Sequence, residues 1–211
     1  MTEPTEPFSA YLPSGMERFD QQMHFIAEID KMTQVLRQTL LLDKSRREND
    51  AEHSWHLAVM ALVLGEYCVE PPNIDRAIKM VVVHDLIEVY AGDTFAYDST
   101  GAQSTKAARE SAAADKLFAL LPQEQALQIR ALWEEFDARS TADSCFAASL
   151  DCLQPFFHNT LTDGATWVQH HVAKSAVLAR MQIIHTTMPR LWTWVQANLQ
   201  RAVERGWLRD E

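Results

Sequence analysis

Residues 81–93, VVVHDLIEVYAGD, place a histidine and an aspartate side by side in an otherwise apolar run. Between Ile78 and Val89 the apolar residues point in nearly every direction around a helix, which predicts a central helix of a bundle. His84 and Asp85 would then be buried. Because a buried carboxylate is costly unless it is paired, hydrogen-bonded or bound to a metal ion, the fold must supply partners for it.

The rest of the chain shows helical periodicity, with no alternating strand pattern and no glycine-rich phosphate loop. A proline-containing tail is predicted at 1–14 and one domain at 15–205. The predicted fold class is all-α, a single helical bundle, because the patterned segments repeat apolar residues every three to four positions. These segments are 16–42, 51–67, 74–91, 104–121, 123–138, 142–160, 167–186 and 189–204.

Composition excludes several classes of protein. With 29 acidic and 19 basic residues the formal charge is −10, so a nucleic acid polymer is not an expected partner. There is no apolar run of ~18 residues to span a membrane, and the start, MTEPTEPFSA, does not resemble a secretory signal. Cys68, Cys145 and Cys152 form no C-x-x-C pair, which suits a reducing compartment. The expected location is therefore cytoplasmic, with no membrane partner.

Two further ionisable residues interrupt apolar patterns elsewhere. His53 stands in the first turn of a predicted helix, in NDAEHSWH, after the candidate caps Asn49 and Asp50, and Asp151 stands in FAASLDCLQPFF. Pro155 lacks the N–H that would bond the Asp151 carbonyl, so a kink or helix end is expected there. Each residue alone can be an ordinary core histidine or ion-paired aspartate. Together with the His-Asp pair they form a ligand set that suits a borderline divalent ion such as Mn, Fe, Co, Ni or Zn.

The order His53, His84-Asp85, Asp151 on an all-α chain resembles the HD-domain metal-dependent phosphohydrolases. The segments RRENDAEHSWHLA, HDLIEVYAGDT and LDCLQPFF are similar to the branch that contains bacterial 5′-deoxynucleotidases and their eukaryotic relatives. The resemblance implies that these four residues bind a divalent ion (Mn, Co, Fe, Ni, Zn or Mg) that activates water for attack on phosphate. It also implies a homodimer.

Glu88 lies four residues after His84 and three after Asp85, so it shares their face on one helix. The resemblance implies that Glu88 and Asp93 are catalytic, with Glu88 orienting or deprotonating the attacking water. The ordinary alternatives are a solvated helix-end charge for Glu88 and support of the turn at Gly92 for Asp93.

The connection 92–104, GDTFAYDSTGAQS, is long for a link between bundle helices. It is a candidate lid over the substrate. Its Phe95 and Tyr97 are candidate contacts to a base or sugar, with simple packing of the loop onto the bundle as the alternative.

Phosphate recognition calls for arginine, whose planar fork matches two phosphate oxygens. The family places one upstream of the first ligand histidine, and Arg37 in QVLRQT is the nearest match. Arg46 is a second candidate, with a solvated basic loop as the alternative. The tryptophan that neighbours this arginine in the family is absent, since Gln38 and Thr39 follow, so selectivity for deoxyribose is not implied.

The predicted function is a metal-dependent phosphomonoesterase that hydrolyses (deoxy)nucleoside 5′-monophosphates to nucleoside and phosphate. The alternatives are a phosphohydrolase for another small phosphate ester, or a non-catalytic helical domain in which a metal only ties helices together. Glu88 argues against the last, because a structural site needs no spare carboxylate. One ion per chain is expected, because the two-metal hydrolases that the chain resembles hold their second ion with further histidines between the His-Asp pair and the last aspartate, and 86–150 contains none. Carboxylates in that interval, such as Glu88, Asp93 or Glu110, are the alternative ligands for a second ion such as Mg²⁺.

Overall fold

The structure is a computed structural model that describes residues 10–98 and 102–211. Within these residues the chain forms mainly α-helices, which confirms the all-α class, together with one two-stranded hairpin. The helices are α1 (Glu17–Ile29), α2 (Asp50–Leu64), α3 (Ile74–Val83), α4 (Glu88–Ala91), α5 (Ala102–Phe118), α6 (Gln123–Ala138), α7 (Ala142–Leu161), α8 (Ala165–Gln169), α9 (Lys174–Thr187) and α10 (Trp192–Glu204). The strands are β1 (Leu36–Leu40) and β2 (Arg47–Asn49), and short 3-10 helices cover Asp30–Gln34, Gly65–Tyr67 and Pro189–Leu191.

Helix α7 lies at the centre of the larger core, where it packs against α2, α3, α6 and α9. Its side chains Phe146, Leu150 and Phe156 are buried there. Helix α3 lies between α2, α6 and α7, as expected for a helix with apolar residues on most sides. The two unusual aspartates therefore lie on or beside central helices: Asp151 within α7, and Asp85 just beyond the end of α3.

The predicted helix over 16–42 is wrong in its second half. Helix α1 ends at Ile29, and the chain then makes a 3-10 turn and enters β1. In β1 the buried side chains are the polar ones, Arg37 and Thr39, whereas Leu36 is half exposed. Because apolar residues do not mark the inner face, the strand lacks the alternation by which strands are recognised. β1 pairs antiparallel with β2 through an irregular register.

The predicted helix over 74–91 is interrupted at the His-Asp pair. Helix α3 ends at Val83, and α4 begins only at Glu88. Between them the backbone hydrogen bonds join residues three apart instead of four. They run from the Leu86 N–H to the Val83 carbonyl (3.1 Å) and from the Glu88 N–H to the Asp85 carbonyl (2.9 Å). The tighter turn is a 3-10 feature, which often marks functional positions in helices.

The structure confirms some of the expected helix ends and corrects others. Asn49 caps α2 in a reciprocal capping box, which confirms one of the two candidate caps, whereas Asp50 is the first residue of the helix. Asn73 caps α3. Pro155 does not end α7, which continues to Leu161. The segment 167–186 is two helices, α8 and α9, separated by a bend in which His171 has φ +50°.

The three cysteines, Cys68, Cys145 and Cys152, are free. Among the residues described here, none of the helices has both the length and the apolar character needed to cross a membrane.

Two glycines with similar backbone angles provide a test of the packing around Trp207. Gly164 has φ +64° and Gly206 has φ +70°; an added Cβ at Gly164 would overlap the Trp207 side chain, whereas at Gly206 it would meet no atom of the described residues outside the adjacent ones. We expect Gly164→Ala to lower the free energy of unfolding by roughly 2–4 kcal/mol and Gly206→Ala by about 1 kcal/mol, because only the first adds steric overlap to the backbone strain. Urea denaturation measures both losses, and equal losses would contradict this packing.

Candidate metal and catalytic site

The structure brings the four predicted ligands into one buried cluster. The Oδ1 atom of Asp151 lies 3.2 Å from Nε2 of His53 and 3.9 Å from Nε2 of His84. The Oδ2 atom of Asp85 lies 3.0 Å from Nε2 of His84 and 4.0 Å from Nε2 of His53. Candidate metal-ligand atoms from α2, from the turn after α3 and from α7 therefore lie around a common centre.

Local structure sets the direction of the His84 ring. Its Nδ1 lies 2.8 Å from the carbonyl oxygen of Val81, which can only accept, so Nδ1 carries the proton and donates. Its Nε2 is buried and has no hydrogen-bond partner within the described part of the chain, although Asp85 is near. A buried nitrogen lone pair with no donor, aimed at two carboxylates, is the arrangement expected of a metal-ligating histidine.

The donor set therefore fits a divalent cation. Two imidazole nitrogens and two carboxylate oxygens are suitable for the borderline transition metals, and the surrounding burial would exclude competing water. Burial and the charge of Arg37 lower the pKa of His53, yet the hydrogen bond with Asp151 and the nearby Glu48 carboxylate raise it to about 9. Without a cation, a proton on His53 thus offsets part of the negative charge of the cluster.

The two ligand carboxylates are held ionised by the cations around them. Burial raises the pKa of Asp151, but the Arg180 guanidinium and the hydrogen bond to His53 outweigh it and hold this pKa well below its usual range. Burial also raises the pKa of Asp85, but the neighbouring His84 ring and the Arg37 guanidinium outweigh it and lower this pKa. Both aspartates are thus available as anionic ligands.

Arg37 lies beside this cluster, on β1 rather than on the predicted helix. Its Nη1 donates to Oδ2 of Asp85 at 2.7 Å and to Oδ1 of Asp50 at 3.2 Å. Asp50 is completely buried, and its carboxylate lies within 4.8 Å of those of Asp85 and Glu88. The sequence pattern indicates Asp50 only as a helix cap, so its place in the cluster was missed. A signal was present, because Asn49 already fills the cap and leaves the adjacent aspartate without that role.

Glu88 is buried beside Asp50 and Asp85, not solvated at a helix end. Burial, followed by the charges of Asp85 and Asp50, raises the pKa of Glu88 well above its ordinary value. Burial and Asp85 likewise raise the pKa of Asp50 to about 6. A carboxyl group whose pKa is raised by its surroundings is suited to general acid–base chemistry.

A cavity of about 280 Å³ opens onto the cluster. One side of the cluster of candidate ligands faces this cavity, and further charged side chains line its wall. Its lining includes Arg37, His84, Asp85, Glu88, Asp93, Thr94, Lys106, Glu110, Trp133, Phe136, Asp137, Arg139, Asp151 and Arg180. Asp93 therefore reaches the same space as the ligands, and burial raises its pKa.

Three cations of this wall were missed in the sequence: Lys106, Arg139 and Arg180. Arg180 is the most closely integrated, since its Nη2 donates to Oδ2 of Asp151 at 3.0 Å. This bond leaves the other oxygen, Oδ1, directed at the two histidines. No spacing relative to the His-Asp pair marks these residues, because they come from α5, α9 and the residue after α6, far along the chain.

The structure does not bring Arg46 into this site. Its side chain is about half exposed and pairs with both oxygens of Glu52, one at 2.9 Å. The aromatic rings of Phe95 and Tyr97, candidate contacts to a base or sugar, pack against each other and onto the main core. Part of the candidate lid, residues 99–101, lies outside the described residues.

A helical domain that gathers His, consecutive His-Asp and Asp from three places in the chain into one buried cluster defines the HD class of domain. The chain belongs to this family, since the model described as HD domain matches residues 29–192. A crystal structure of a protein described as a predicted metal-dependent phosphohydrolase, from Magnetospirillum magnetotacticum MS-1, is similar to this chain with a TM-score of 0.86 and 46% identity. The match covers 95% of this chain and 100% of that one.

Curated relatives share part of the sequence. The 5′-deoxynucleotidase HDDC2 of Bos taurus is 35% identical over 104 residues, which cover 49% of this chain and 49% of that protein. The human protein of the same name is 32% identical over 106 residues, or 50% of each chain. This chain thus spans about half the length of these curated relatives. The 5′-deoxynucleotidase hdd1 of Schizosaccharomyces pombe is 22% identical, over 77% of this chain and 74% of that protein.

The two candidate arginines should differ sharply in their effect on stability. Arg37→Met leaves the buried carboxylates Asp50 and Asp85 without their cation, so we expect it to lower the free energy of unfolding by about 3–5 kcal/mol. Arg46→Met removes only an exposed pair with Glu52 and should change stability little. Urea denaturation in the presence of a chelator measures both. Equal stability of the Arg37→Met variant and the unaltered protein would refute this account of the cluster.

Proposed function

We propose that the protein is a metal-dependent phosphohydrolase that converts (deoxy)nucleoside 5′-monophosphates to nucleoside and phosphate. The observation that carries this proposal is the buried cluster of His53, His84, Asp85 and Asp151, which opens to a cavity that also contains Glu88. The names of the relatives support the substrate class, since HDDC2 and hdd1 are described as 5′-deoxynucleotidases. The similar solved structure is described as a predicted metal-dependent phosphohydrolase.

In this proposal His53, His84, Asp85 and Asp151 hold one divalent cation (Mn, Co, Fe, Ni, Zn or Mg). The cation supplies Lewis-acid chemistry, in which water is polarised for attack and the charge of the phosphate is offset. Within the described residues, a second cation beside the first would bind at the carboxylates of Asp50, Asp85 and Glu88, which lie within 4.8 Å of one another. The Arg37 guanidinium already lies against two of them, so its positive charge opposes a second ion.

The residues around the cation would have separate tasks. Glu88 orients the attacking water and exchanges a proton with it, while Asp93 lines the same cavity and is proposed to assist. Arg37 lines the cavity as well, but carboxylates engage much of its guanidinium, so we propose that Arg180 shares the recognition of phosphate. Both arginines also have the planar fork that suits phosphate oxygens.

Another small phosphate ester is the second candidate substrate. It is favoured by one observation, that Gln38 and Thr39 stand where the family has the tryptophan next to the arginine. A purely structural metal site is disfavoured, because such a site has no need of the buried Glu88 or of the open cavity. The homodimer, the cytoplasmic location and the domain bounds 15–205 stay predictions.

With Mn²⁺ or Co²⁺ added, we expect phosphate release from deoxynucleoside 5′-monophosphates and not from their 3′ isomers. The physical reason is that the phosphate must reach the cluster while the sugar and base remain in the adjoining cavity. A phosphate assay across nucleotides, isomers and sugar phosphates, with and without chelator, measures this. Equal rates on 5′ and 3′ isomers would reject the nucleotidase assignment, and preferred release from a sugar phosphate would support the second candidate.

Asp85→Asn and Glu88→Gln should fail in different ways. Asp85→Asn removes a ligand, so metal content and the thermal stabilisation produced by added metal should both fall. Glu88→Gln should keep one ion per chain and lose turnover by a factor on the order of 10²–10⁴, because it removes the proton-exchanging group. Elemental analysis, thermal unfolding and turnover are measured on the same samples. Two ions per chain, or full turnover with Glu88→Gln, would contradict these roles.

A further inference from the structure

A second group of ligand-type side chains lies behind His53, on the side away from the cavity. Donor atoms of Glu48, His56 and His158 lie within 4.8 Å of one another, which would suit a metal ion. The amide nitrogen of Gln154 already lies among them. It is 2.6 Å from Oε1 of Glu48, 3.1 Å from Nε2 of His158 and 3.4 Å from Nδ1 of His56. The group therefore surrounds an amide NH2 rather than a cation.

These contacts determine the orientation of the Gln154 side-chain amide, that is, which position holds the oxygen and which the nitrogen. A carboxylate only accepts, so the atom that faces Glu48 must be the NH2. The Nδ1 atom of His158 lies 2.9 Å from the carbonyl oxygen of Leu40, so it donates there and leaves Nε2 to accept from the same NH2. Both amide protons thus have acceptors, and the amide oxygen must be the atom 3.1 Å from Nδ1 of His53.

The orientation of Gln154 in turn fixes the protonation of the His53 ring. An amide oxygen only accepts, so Nδ1 of His53 must carry a proton and donate it. The other nitrogen, Nε2, lies 3.2 Å from Asp151 and faces the metal cluster. The carboxylate of Glu48 does not replace this contact, because its Oε2 is 3.6 Å from Nδ1 of His53, beyond hydrogen-bond distance.

We propose that Gln154, held in one orientation by Glu48 and His158, is a positioning residue that keeps His53 protonated at Nδ1 and its Nε2 directed at the metal. The inference rests on the ligand role of His53 proposed above. Asp151, Gln154 and His158 lie at positions i, i+3 and i+7 of α7, so one face of this helix presents both a ligand and the residues that orient another ligand. Gln154 and His53 are both completely buried, so water does not compete for the contact.

The test is the affinity of metal-free, full-length protein for Zn²⁺ alone, measured by competition with a chelating dye. Gln154→Leu removes the acceptor for His53 and should weaken Zn²⁺ binding by about 10–100-fold, as for other residues that orient a ligand. His158→Phe should weaken it less, because Glu48 still orients the amide. The control is Ser149→Ala, which removes a different buried hydrogen bond of α7, to the Cys145 carbonyl, and should leave Zn²⁺ affinity unchanged.

A spectroscopic measurement on the unaltered protein does not depend on how the variants fold. Long-range proton–nitrogen correlation of the histidine rings in the Zn²⁺-loaded protein should show His53 protonated at Nδ1, with Zn²⁺ on Nε2. Ligation through Nδ1, or an ion located by anomalous diffraction between Glu48, His56 and His158, would overturn the inference. Unchanged Zn²⁺ affinity in Gln154→Leu would overturn the role of Gln154 but leave the proposed metal centre intact. If the unaltered protein binds no Zn²⁺, the proposed metal centre is overturned as well.

Discussion

The structure depends on the balance of charge among carboxylates that the fold removes from water. Asp50, Asp85, Glu88 and Asp151 are all buried within one region, and ionised carboxylates cannot remain there unpaired. Arg37 supplies a cation to two of these side chains and Arg180 to a third. The raised pKa values of Glu88 and His53 favour the protonated form of each side chain, which reduces the negative charge further. The two imidazoles and the carboxylates gathered there form a donor set that suits a divalent cation.

This charge balance accounts for the hairpin within a helical protein. β1 contributes Arg37 to the inside and β2 contributes Glu48, each with its side chain buried against α2 and α7. The same requirement explains why the strand was predicted as helix. Sequence patterns identify an inner face by its apolar residues, and here the inner face of β1 consists of Arg37 and Thr39. The need to balance buried charge thus places polar side chains on the inner face of β1, where a strand usually has apolar ones.

The sequence could predict the helical class and a ligand set, because His53, His84, Asp85 and Asp151 each stand where the periodicity calls for an apolar residue. The structure brings those four together, but their role as metal ligands stays a proposal. Lys106 and Arg180 could not be predicted in the same way. They reach the cluster through the packing of separate helices, and that packing is not encoded in the spacing of any one segment. The 3-10 turn at the His-Asp pair was also missed, since apolar residues continue through it.

Helix α7 shows that local spacing carries information beyond the ligand set itself. Once Asp151 is taken as a ligand, helical geometry alone places Gln154 and His158 on its face, in LDCLQPFFHN. Both are polar side chains in a buried apolar helix, and each must find a partner there. The ring and amide atoms they present are satisfied by β1, β2 and His53. A polar residue one turn after a candidate ligand is therefore a candidate for orienting a second ligand, and its place on the same helix face can be read from the spacing of the sequence.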